Sequence, residues 1–173
     1  PDTTLRLGGK FDNTGTVEIW PGATLLKADH PFIQMQGVTT LHGVYQKLSA
    51  IADMQLLGGT LQGIGQIEAV VSNSGAVVAP GPGIGVLTVT DAYVQAPNAA
   101  VVFELATAGW YDELATGGAT LAGAARAVAV NGFAPQIGQR FTILTHSAGQ
   151  RSGAFAACIA EGFPDPTLGV RPI

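Results

Sequence analysis

The stretch Phe11-Asp-Asn-Thr-Gly-Thr-Val17 recurs later in the chain as Val71-Ser-Asn-Ser-Gly-Ala-Val77. The asparagine, the glycine and the flanking apolar positions match in the two copies. A second pair, Thr40-Leu-His-Gly-Val44 and Thr60-Leu-Gln-Gly-Ile64, repeats at one third of that distance. Both distances fit one structural repeat of about 20 residues, which is the sequence signature of a solenoid.

Short runs of β-branched and aromatic residues, bounded by Gly, Asn, Asp or Pro, predict strands along the whole chain. The predicted strands are Leu5–Leu7, Val17–Ile19, Val38–Val44, Gly65–Ile67, Val86–Val89, Val101–Leu105 and Phe141–Leu144. The Ala-rich segment Ala119–Val130 has some helical character, but Gly123 and the alternation of residues 127–130 favour a strand. We expect Asn and Gly between the runs to supply the positive φ of sharp corners.

A coil of about 20 residues has room for three short strands and their corners, and stacked coils lie about 4.8 Å apart. The sequence therefore predicts an all-β fold, a parallel β-solenoid of about eight coils that forms a rod of about 40 Å. We expect residues 1–173 to form one solenoid segment, either part of a longer chain or a unit that stacks on copies of itself.

Composition narrows the class of protein. The chain is 47% hydrophobic and 12% charged, against about 25% charged residues in an ordinary soluble domain. This argues against disorder, and no apolar run approaches the ~20 residues of a transmembrane helix. The net charge is −4 and the basic residues are scattered, so nucleic acid is not an expected partner. Cys158 is the only cysteine, and we expect it to be a buried small residue.

From about Gly58 onward the chain resembles the C-terminal portion of autotransporter-like and related exported β-helix repeat proteins of bacteria. The residues that carry the resemblance are Gly58–Gly65, Val71–Gly81, Leu87–Val89, Tyr93–Gln95, Phe103–Leu105, Tyr111–Leu114, Gly118–Leu121, Asn131–Pro135, Gly138–Thr145 and Gly153–Phe155. The resemblance implies a right-handed parallel β-helix, a passenger-type segment displayed outside the cell as a fibre, an adhesin or a surface-layer component. The glycine-rich turn Pro80–Gly85 departs from the family's usual turn.

Acidic residues one coil apart are the candidates for catalysis, because adjacent coils bring their side chains together. Asp91 and Asp112 are separated by about one such coil, and Glu113 adjoins the second. Such a pair has the residue types of the acid and base of a polysaccharide-cleaving enzyme. The alternative, which we favour, is that both aspartates begin turns and cap strand ends in water.

The sequence predicts no metal ion or other cofactor. His30, His42 and His146 share no spacing with a carboxylate or a cysteine, and His42 is expected at the position that Gln62 takes one coil later. The cluster Gly81-Pro-Gly-Ile-Gly85 has the glycine content of a phosphate loop. A strand-like run follows it where a phosphate loop needs a helix, so we predict a tight corner.

Four aromatic residues are the candidates for ligand binding. Trp20, Tyr45, Tyr93 and Trp110 would stack on sugar rings if they lined one face of the rod. The alternative, which we favour, is that they pack in the core or shield an end of the rod.

Three functions remain open at this level. The first is a non-catalytic structural or adhesive element at a bacterial surface, the second a carbohydrate-active β-helix enzyme, and the third a carbohydrate-binding rod. We favour the first and do not expect an enzyme. Leu5–Leu7 and Val170–Ile173 are strand-like and carry no polar cap, so we expect end-to-end self-association into filaments. Surface glycans are the other expected partner.

Overall fold

The computed structural model describes residues 3–147 and 149–164, and every regular element in these two ranges is a β-strand. The strands are β1 (Thr3–Leu7), β2 (Phe11–Asn13), β3 (Thr16–Ile19), β4 (Ala23–Lys27), β5 (Phe32–Gln34), β6 (Val38–Leu41), β7 (Val44–Lys47), β8 (Met54–Leu56), β9 (Thr60–Gly63), β10 (Gln66–Glu68), β11 (Val71–Asn73), β12 (Val77–Pro80), β13 (Val86–Gln95), β14 (Ala100–Thr107), β15 (Trp110–Tyr111), β16 (Glu113–Leu121), β17 (Ala124–Ala129), β18 (Leu144–His146), β19 (Arg151–Gly153) and β20 (Ala157–Glu161). The prediction of an all-β chain is confirmed over these residues.

The strands pair in parallel with strands further along the chain, and this produces three stacks. The first stack contains β1, β4, β7, β10, the first halves of β13 and β16, and β18. The second contains β2, β5, β8, β11, the second halves of β13 and β16, and β19. The third contains β3, β6, β9, β12, β14, β17 and β20. We number the seven successive levels rows 1 to 7; β15 is the one strand of the described chain outside them, antiparallel to β14.

The longer sequence repeat is confirmed by the register of the second stack. Asn13 pairs with Gln34, Gln34 with Leu56, and Leu56 with Asn73, so the longer match spans three rows. The rows are not uniform, however, since the step from Leu56 to Asn73 is shorter than the two steps before it. Between rows 6 and 7 the step is much longer, and Ala119 pairs with Arg151. A constant repeat is therefore wrong for the C-terminal rows.

The shorter sequence repeat is displaced by two positions from the true register. Leu41 pairs with Gly63 and not with Leu61. His42 therefore corresponds to Ile64, and the prediction that it takes the position of Gln62 is wrong. Side chains alternate with a period of two, so an even displacement keeps inward residues inward. For this reason the displaced alignment still placed inward residues on inward residues.

Inward-facing side chains of each stack pile on one another and form the core. In the first stack this column contains Leu5, Leu25, Tyr45, Ile67 and Val89. All but Leu5 are buried, and they join one continuous apolar cluster with the inward residues of the other stacks. Full burial of an aliphatic side chain contributes about 1.5–3 kcal/mol, so each row is stabilised chiefly by the rows above and below it.

The corner after the second stack is held by amide side chains. The Oδ1 atoms of Asn13 and Asn73 accept hydrogen bonds from the backbone N–H groups of Gly15 and Ala76, both at 2.9 Å. The expectation that these asparagines supply positive φ is wrong, since Asn131 (φ 53°) is the one non-glycine residue in the described ranges with positive φ. Their side chains close the turn instead, as in other Asx turns.

Buried amides also join successive rows to one another. The Nδ2 of Asn73 donates to the hydroxyl of Tyr93 at 3.2 Å, and that hydroxyl donates to Oε1 of Gln95 at 2.7 Å. The Nε2 of Gln95 donates to the carbonyl oxygen of Ala122 at 2.7 Å. Each of these three side chains is about 1% exposed or less, so a lost partner leaves a polar group without water.

The predicted strands agree with the structure except at corners and at the chain end. Ala119–Val130 is extended, as predicted, and is interrupted at Ala122–Gly123 between β16 and β17. Val38–Val44 is broken by a corner between β6 and β7, and of Phe141–Leu144 only the last residue lies in a strand. Val170–Ile173 lies outside the described residues. Cys158 is half-buried against the core rather than fully buried.

Replacing Asn73 with Ala should lower the free energy of unfolding by about 1–3 kcal/mol, because it orphans the buried N–H of Ala76 and removes a partner of Tyr93. Urea denaturation followed by circular dichroism measures the change. The matched control is Ser72→Ala on the outward side of the same strand, expected to change stability by less than about 0.5 kcal/mol. Equal effects of the two substitutions would contradict the structural role of this amide.

Candidate functional site

Both tryptophans lie at one corner of the molecule, where the chain passes from the third stack to the first. Trp20 follows β3 and is 64% exposed, and Trp110 lies on β15 and is 58% exposed. Ile64 and Ile137, two further exposed apolar residues, belong to the same corner in other rows. We call this edge, formed by residues 20–22, 42–43, 64–65, 81–85, 108–112 and 130–143, the tryptophan corner.

The tryptophan corner is tight in its first rows because backbone segments touch there. A Cβ atom on Gly43 would lie 2.2 Å from the carbonyl oxygen of Ala23, and one on Gly65 would lie 2.3 Å from that of Gly43. The backbone N–H of Gly65 donates to the carbonyl of Leu41 at 2.9 Å. These rows therefore require glycine at this edge, and the side chain before it points outward.

The corner widens in the later rows and carries its own small aromatic cluster. The hairpin that contains β15 packs against the segment 130–143 through Tyr111 and Phe141, whose rings meet edge to face at 5.3 Å. Phe133 contacts the other side of Phe141 at 6.1 Å. Pairs of this geometry contribute about 0.5–1.5 kcal/mol beyond their burial. The β15 hairpin and the segment 130–143, which both depart from the regular rows, thus pack against each other.

Asp112 joins two segments of this corner through its carboxylate. Its Oδ1 accepts a hydrogen bond from the backbone N–H of Gly85, and its Oδ2 accepts one from the backbone N–H of Glu104, both at 2.8 Å. The side chain is completely buried. Burial raises the pKa of Asp112 to about 6, because desolvation outweighs the two amide donors, and the charge of Glu104 adds to the increase.

A small cleft of about 230 Å³ lies next to this carboxylate. Its walls are the turn Pro80–Gly83 on one side and the outward side chains of Val102 and Glu104 on the other, with Gln62 at one end. Glu104 is half-buried and lines this space. The oxygens of Asp112 are both occupied by backbone donors, so the group holds the walls together rather than reaching into the cleft.

Asp91 lies elsewhere, at the corner between the first and second stacks. Its Oδ2 contacts Nζ of Lys47 at 2.9 Å, and the same ammonium contacts Oδ1 of Asp53 at 2.8 Å. Asp53 and then Asp91 raise the pKa of Lys47 through these contacts. Oδ1 of Asp53 also accepts a hydrogen bond from the backbone N–H of Val70 at 3.1 Å, so this ion cluster links rows 3 to 5.

The predicted acidic pair is thus not brought together by the fold. The row partner of Asp112 is Gly85, because the residues that follow them, Glu113 and Val86, pair with each other. Glu113 lies in β16, where its Oε1 accepts a hydrogen bond from the hydroxyl of Thr145 at 2.6 Å. Each of the three predicted acids therefore has its own separate partner.

The four aromatic candidates divide into two kinds. Tyr45 and Tyr93 are completely buried, and their hydroxyls bond to Ala52 and to Asn73 and Gln95. Burial raises the pKa of both tyrosines. A sugar cannot contact these two buried side chains, so Tyr45 and Tyr93 do not form part of an exposed binding surface. Trp20 and Trp110 are exposed and share the tryptophan corner.

The histidines are dispersed. His30 lies beside Asp29, with Nδ1 at 3.3 Å from Oδ1, and Nδ1 of His146 lies 2.8 Å from the carbonyl oxygen of Ser147. Over residues 3–147 and 149–164, no group of three His, Cys, Asp or Glu side chains is placed to hold a metal ion. In the same residues, no helix is long and apolar enough to cross a membrane.

Sequence reasoning missed the contacts of Asp112 with Gly85 and Glu104. The cause is the β15 hairpin, which lengthens the row and removes the constant spacing on which the predicted acid pair depends. The glycine cluster before β13 was correctly predicted to be a corner with a strand after it. Its amide at Gly85 does bind an anion, but the anion is a side chain of the same molecule.

Comparisons of the chain with protein-family models, with curated proteins and with solved structures found no match.

Alanine substitutions at Asp91 and Asp112 should have unequal and additive effects on stability. Asp91→Ala removes the most exposed partner of a partly exposed ion cluster and should cost about 1 kcal/mol or less. Asp112→Ala leaves two partly buried amides unsatisfied and should cost about 2–4 kcal/mol. Urea denaturation of both single variants and the double variant gives the coupling energy, expected below about 0.5 kcal/mol. A coupling above about 1 kcal/mol would show that the two acids interact after all.

Proposed function

We propose that this chain is a segment of a right-handed parallel β-helix, a non-catalytic β-solenoid that acts outside a bacterial cell as a structural or adhesive element. The observation that carries the proposal is the parallel pairing of successive rows in all three stacks. One coil per row accounts for this order, and parallel crossover connections are right-handed in nearly all proteins. Seven rows would extend roughly 30 Å along the axis.

The distribution of charge supports a structural role over a catalytic one. The two aspartates that the sequence suggested as an acid–base pair make separate internal contacts. Asp91 pairs with Lys47, and Asp112 binds two backbone amides. Arg126 of row 6 likewise pairs with Glu161 of row 7. These contacts fasten one row to another. The resemblance to exported β-helix repeat proteins supports the extracellular location.

The first row supports self-association. In the described residues, β1, β2 and β3 each pair with one strand only, so the outer edge of each has no partner strand among these residues. Leu5 is the first residue of the inward column and is 57% exposed, whereas its row partner Leu25 is buried. An open edge with an exposed apolar core column is a template for further strands.

Purified protein should form end-to-end assemblies that lengthen with concentration, visible by electron microscopy and measured by sedimentation velocity. Leu5→Lys places a charge at the exposed end of the core column. It should raise the protein concentration needed for assembly at least tenfold. The control Thr24→Lys puts the same charge on the outward side of β4 and should leave assembly unchanged. Monodisperse wild-type monomers over the full concentration series would refute self-association.

A second candidate function is carbohydrate binding at the tryptophan corner. It is favoured by one observation, the presence of both exposed indoles on the same edge of the molecule. Indole faces pack on the apolar faces of sugar rings, and the edge carries few charges, which suits a neutral glycan. Rows 1 and 5 lie roughly 19 Å apart, a distance that a short oligosaccharide spans.

Glycan-array binding tests this second function. Trp110→Ala and Trp20→Ala should each weaken binding at least tenfold without a change in unfolding free energy, because both side chains are exposed. Ile51→Ala, at an exposed apolar site on a different corner, is the matched control and should bind like the wild type. Wild-type protein that binds no glycan, or variants that bind equally well, would leave the structural role as the only proposal.

A further inference from the structure

We propose that Asn131 is a site of spontaneous covalent modification, where the folded chain converts its own amide side chain into a carboxylate with water as the only co-reactant. The site lies in the segment 130–143 of the tryptophan corner. This goes beyond the proposed structural role and does not depend on it, because it concerns the chemistry of a single turn.

Asn131 and Gly132 are the two central residues of a tight turn. Both have positive φ, 53° and 73°, and the backbone N–H of Phe133 donates to the carbonyl oxygen of Val130 at 3.0 Å. These are the features of a type I′ turn, which favours Asn followed by Gly because both residues tolerate positive φ. Both residues are exposed, so water reaches the side chain and the backbone of the turn.

The backbone nitrogen of Gly132 is the nucleophile of the proposed reaction. Over the described residues, neither its N–H nor the side-chain amide of Asn131 makes a hydrogen bond. Gly132 has no side chain that would hinder the approach of its nitrogen to Cγ of Asn131. The turn is closed by one backbone hydrogen bond, whose net contribution to stability is small. The backbone can therefore rotate at Asn131 and bring the two atoms together without unfolding of the rows.

The reaction is balanced without an oxidant, a reductant or a catalytic side chain. The Gly132 nitrogen loses its proton to hydroxide and attacks Cγ of Asn131, the bond from Cγ to Nδ2 breaks, and ammonia leaves. The product is a five-membered succinimide ring, which water opens at one of its two carbonyls. Opening at Cγ leaves aspartate at this position. Opening at the backbone carbonyl leaves isoaspartate, whose main chain runs through Cβ and Cγ and is one carbon longer.

The other three asparagines of the chain lack this arrangement. Asn13 and Asn73 are buried, and their Oδ1 atoms accept backbone hydrogen bonds. Asn98 is exposed, but the nitrogen that follows it, that of Ala99, donates to a backbone carbonyl at 3.1 Å. The Cβ atom of Ala99 also stands beside that nitrogen. Asn98 is therefore the internal reference for the proposed site.

The modification would change the charge of the tryptophan corner. Asp112 is the only acidic residue in the ranges that form this corner, and it is completely buried. The new carboxylate would therefore be the first one exposed there, in the same segment as the exposed Arg140. The isoaspartate form would also lengthen the main chain next to Phe133, whose ring contacts Phe141. Because ammonia is lost, the change is one-way.

The site is tested by incubating the purified full chain in mildly alkaline buffer made with ¹⁸O-water, followed by digestion and tandem mass spectrometry. Asn131 should show the mass of an amide-to-acid conversion with one ¹⁸O atom, at least tenfold faster than Asn98. The rate should fall with the hydroxide concentration when the buffer is made neutral. Isoaspartyl methyltransferase should label the fraction that opened at the backbone carbonyl. An Asn131 that keeps its amide, or reacts no faster than Asn98, would overturn the proposal.

Two glycine variants separate the role of the Gly132 nitrogen from general mobility of the segment. Gly132→Ala places a methyl group beside the nucleophile and should slow the reaction at least tenfold. Gly138→Ala is the matched control, because Gly138 lies in the same segment and also has positive φ, 83°. At both positions an added Cβ meets no atom within 4 Å. The control should leave the rate unchanged, and equal slowing by both variants would contradict the proposed nucleophile.

Low concentrations of urea distinguish reaction in the folded chain from reaction after unfolding. Below the unfolding transition, the rate at Asn131 should stay constant, because the exposed turn reacts while the rows remain paired. A rate that rises in step with the unfolded fraction would mean that only the unfolded chain reacts, and the proposal would then be wrong.

Discussion

Parallel hydrogen bonding between successive rows is the constraint on which the rest of this structure depends. In the first four rows each strand finds its partner three strands away, and the same direction is kept in all three stacks. An individual hydrogen bond adds only about 0.5–1.5 kcal/mol, but the ladders also fix the register that piles Leu25 on Tyr45 and Tyr45 on Ile67. A row without neighbours would expose both its backbone and its apolar column. Stability is therefore shared along the axis rather than centred on one place.

The chain changes direction at three corners in each row, and each corner is stabilised by a different kind of contact. At the tryptophan corner, glycines such as Gly43 and Gly65 let one backbone segment touch the next. After the second stack, Asn13 and Asn73 close the turn through their side chains. Between the first and second stacks, Lys47 bridges two carboxylates on different rows.

The largest differences in length between rows occur at one of these corners, and the candidate functional features lie there too. The tryptophan corner grows from two or three residues in the early rows to the β15 hairpin and the segment 130–143. Insertions are tolerated there because they leave the ladders intact. The exposed indoles and the buried carboxylate of Asp112 both belong to this edge. A surface contact would thus act at this edge, and the stacked rows would support it.

The sequence by itself determined the all-β class, the three-strand repeat and the positions of strands such as β1, β3, β10 and β14, because apolar alternation and the Asn–Gly corners are local properties of the chain. It also determined that Ala119–Val130 is extended. Only the tertiary structure decided the register of each row, since corner length changes which residues meet without changing the alternation. For that reason Asp112 lies beside Gly85 rather than Asp91, and Tyr45 and Tyr93 are buried while Trp20 and Trp110 are exposed. Burial and the row partner of each residue depend on contacts far apart in the chain, and the local pattern does not contain them.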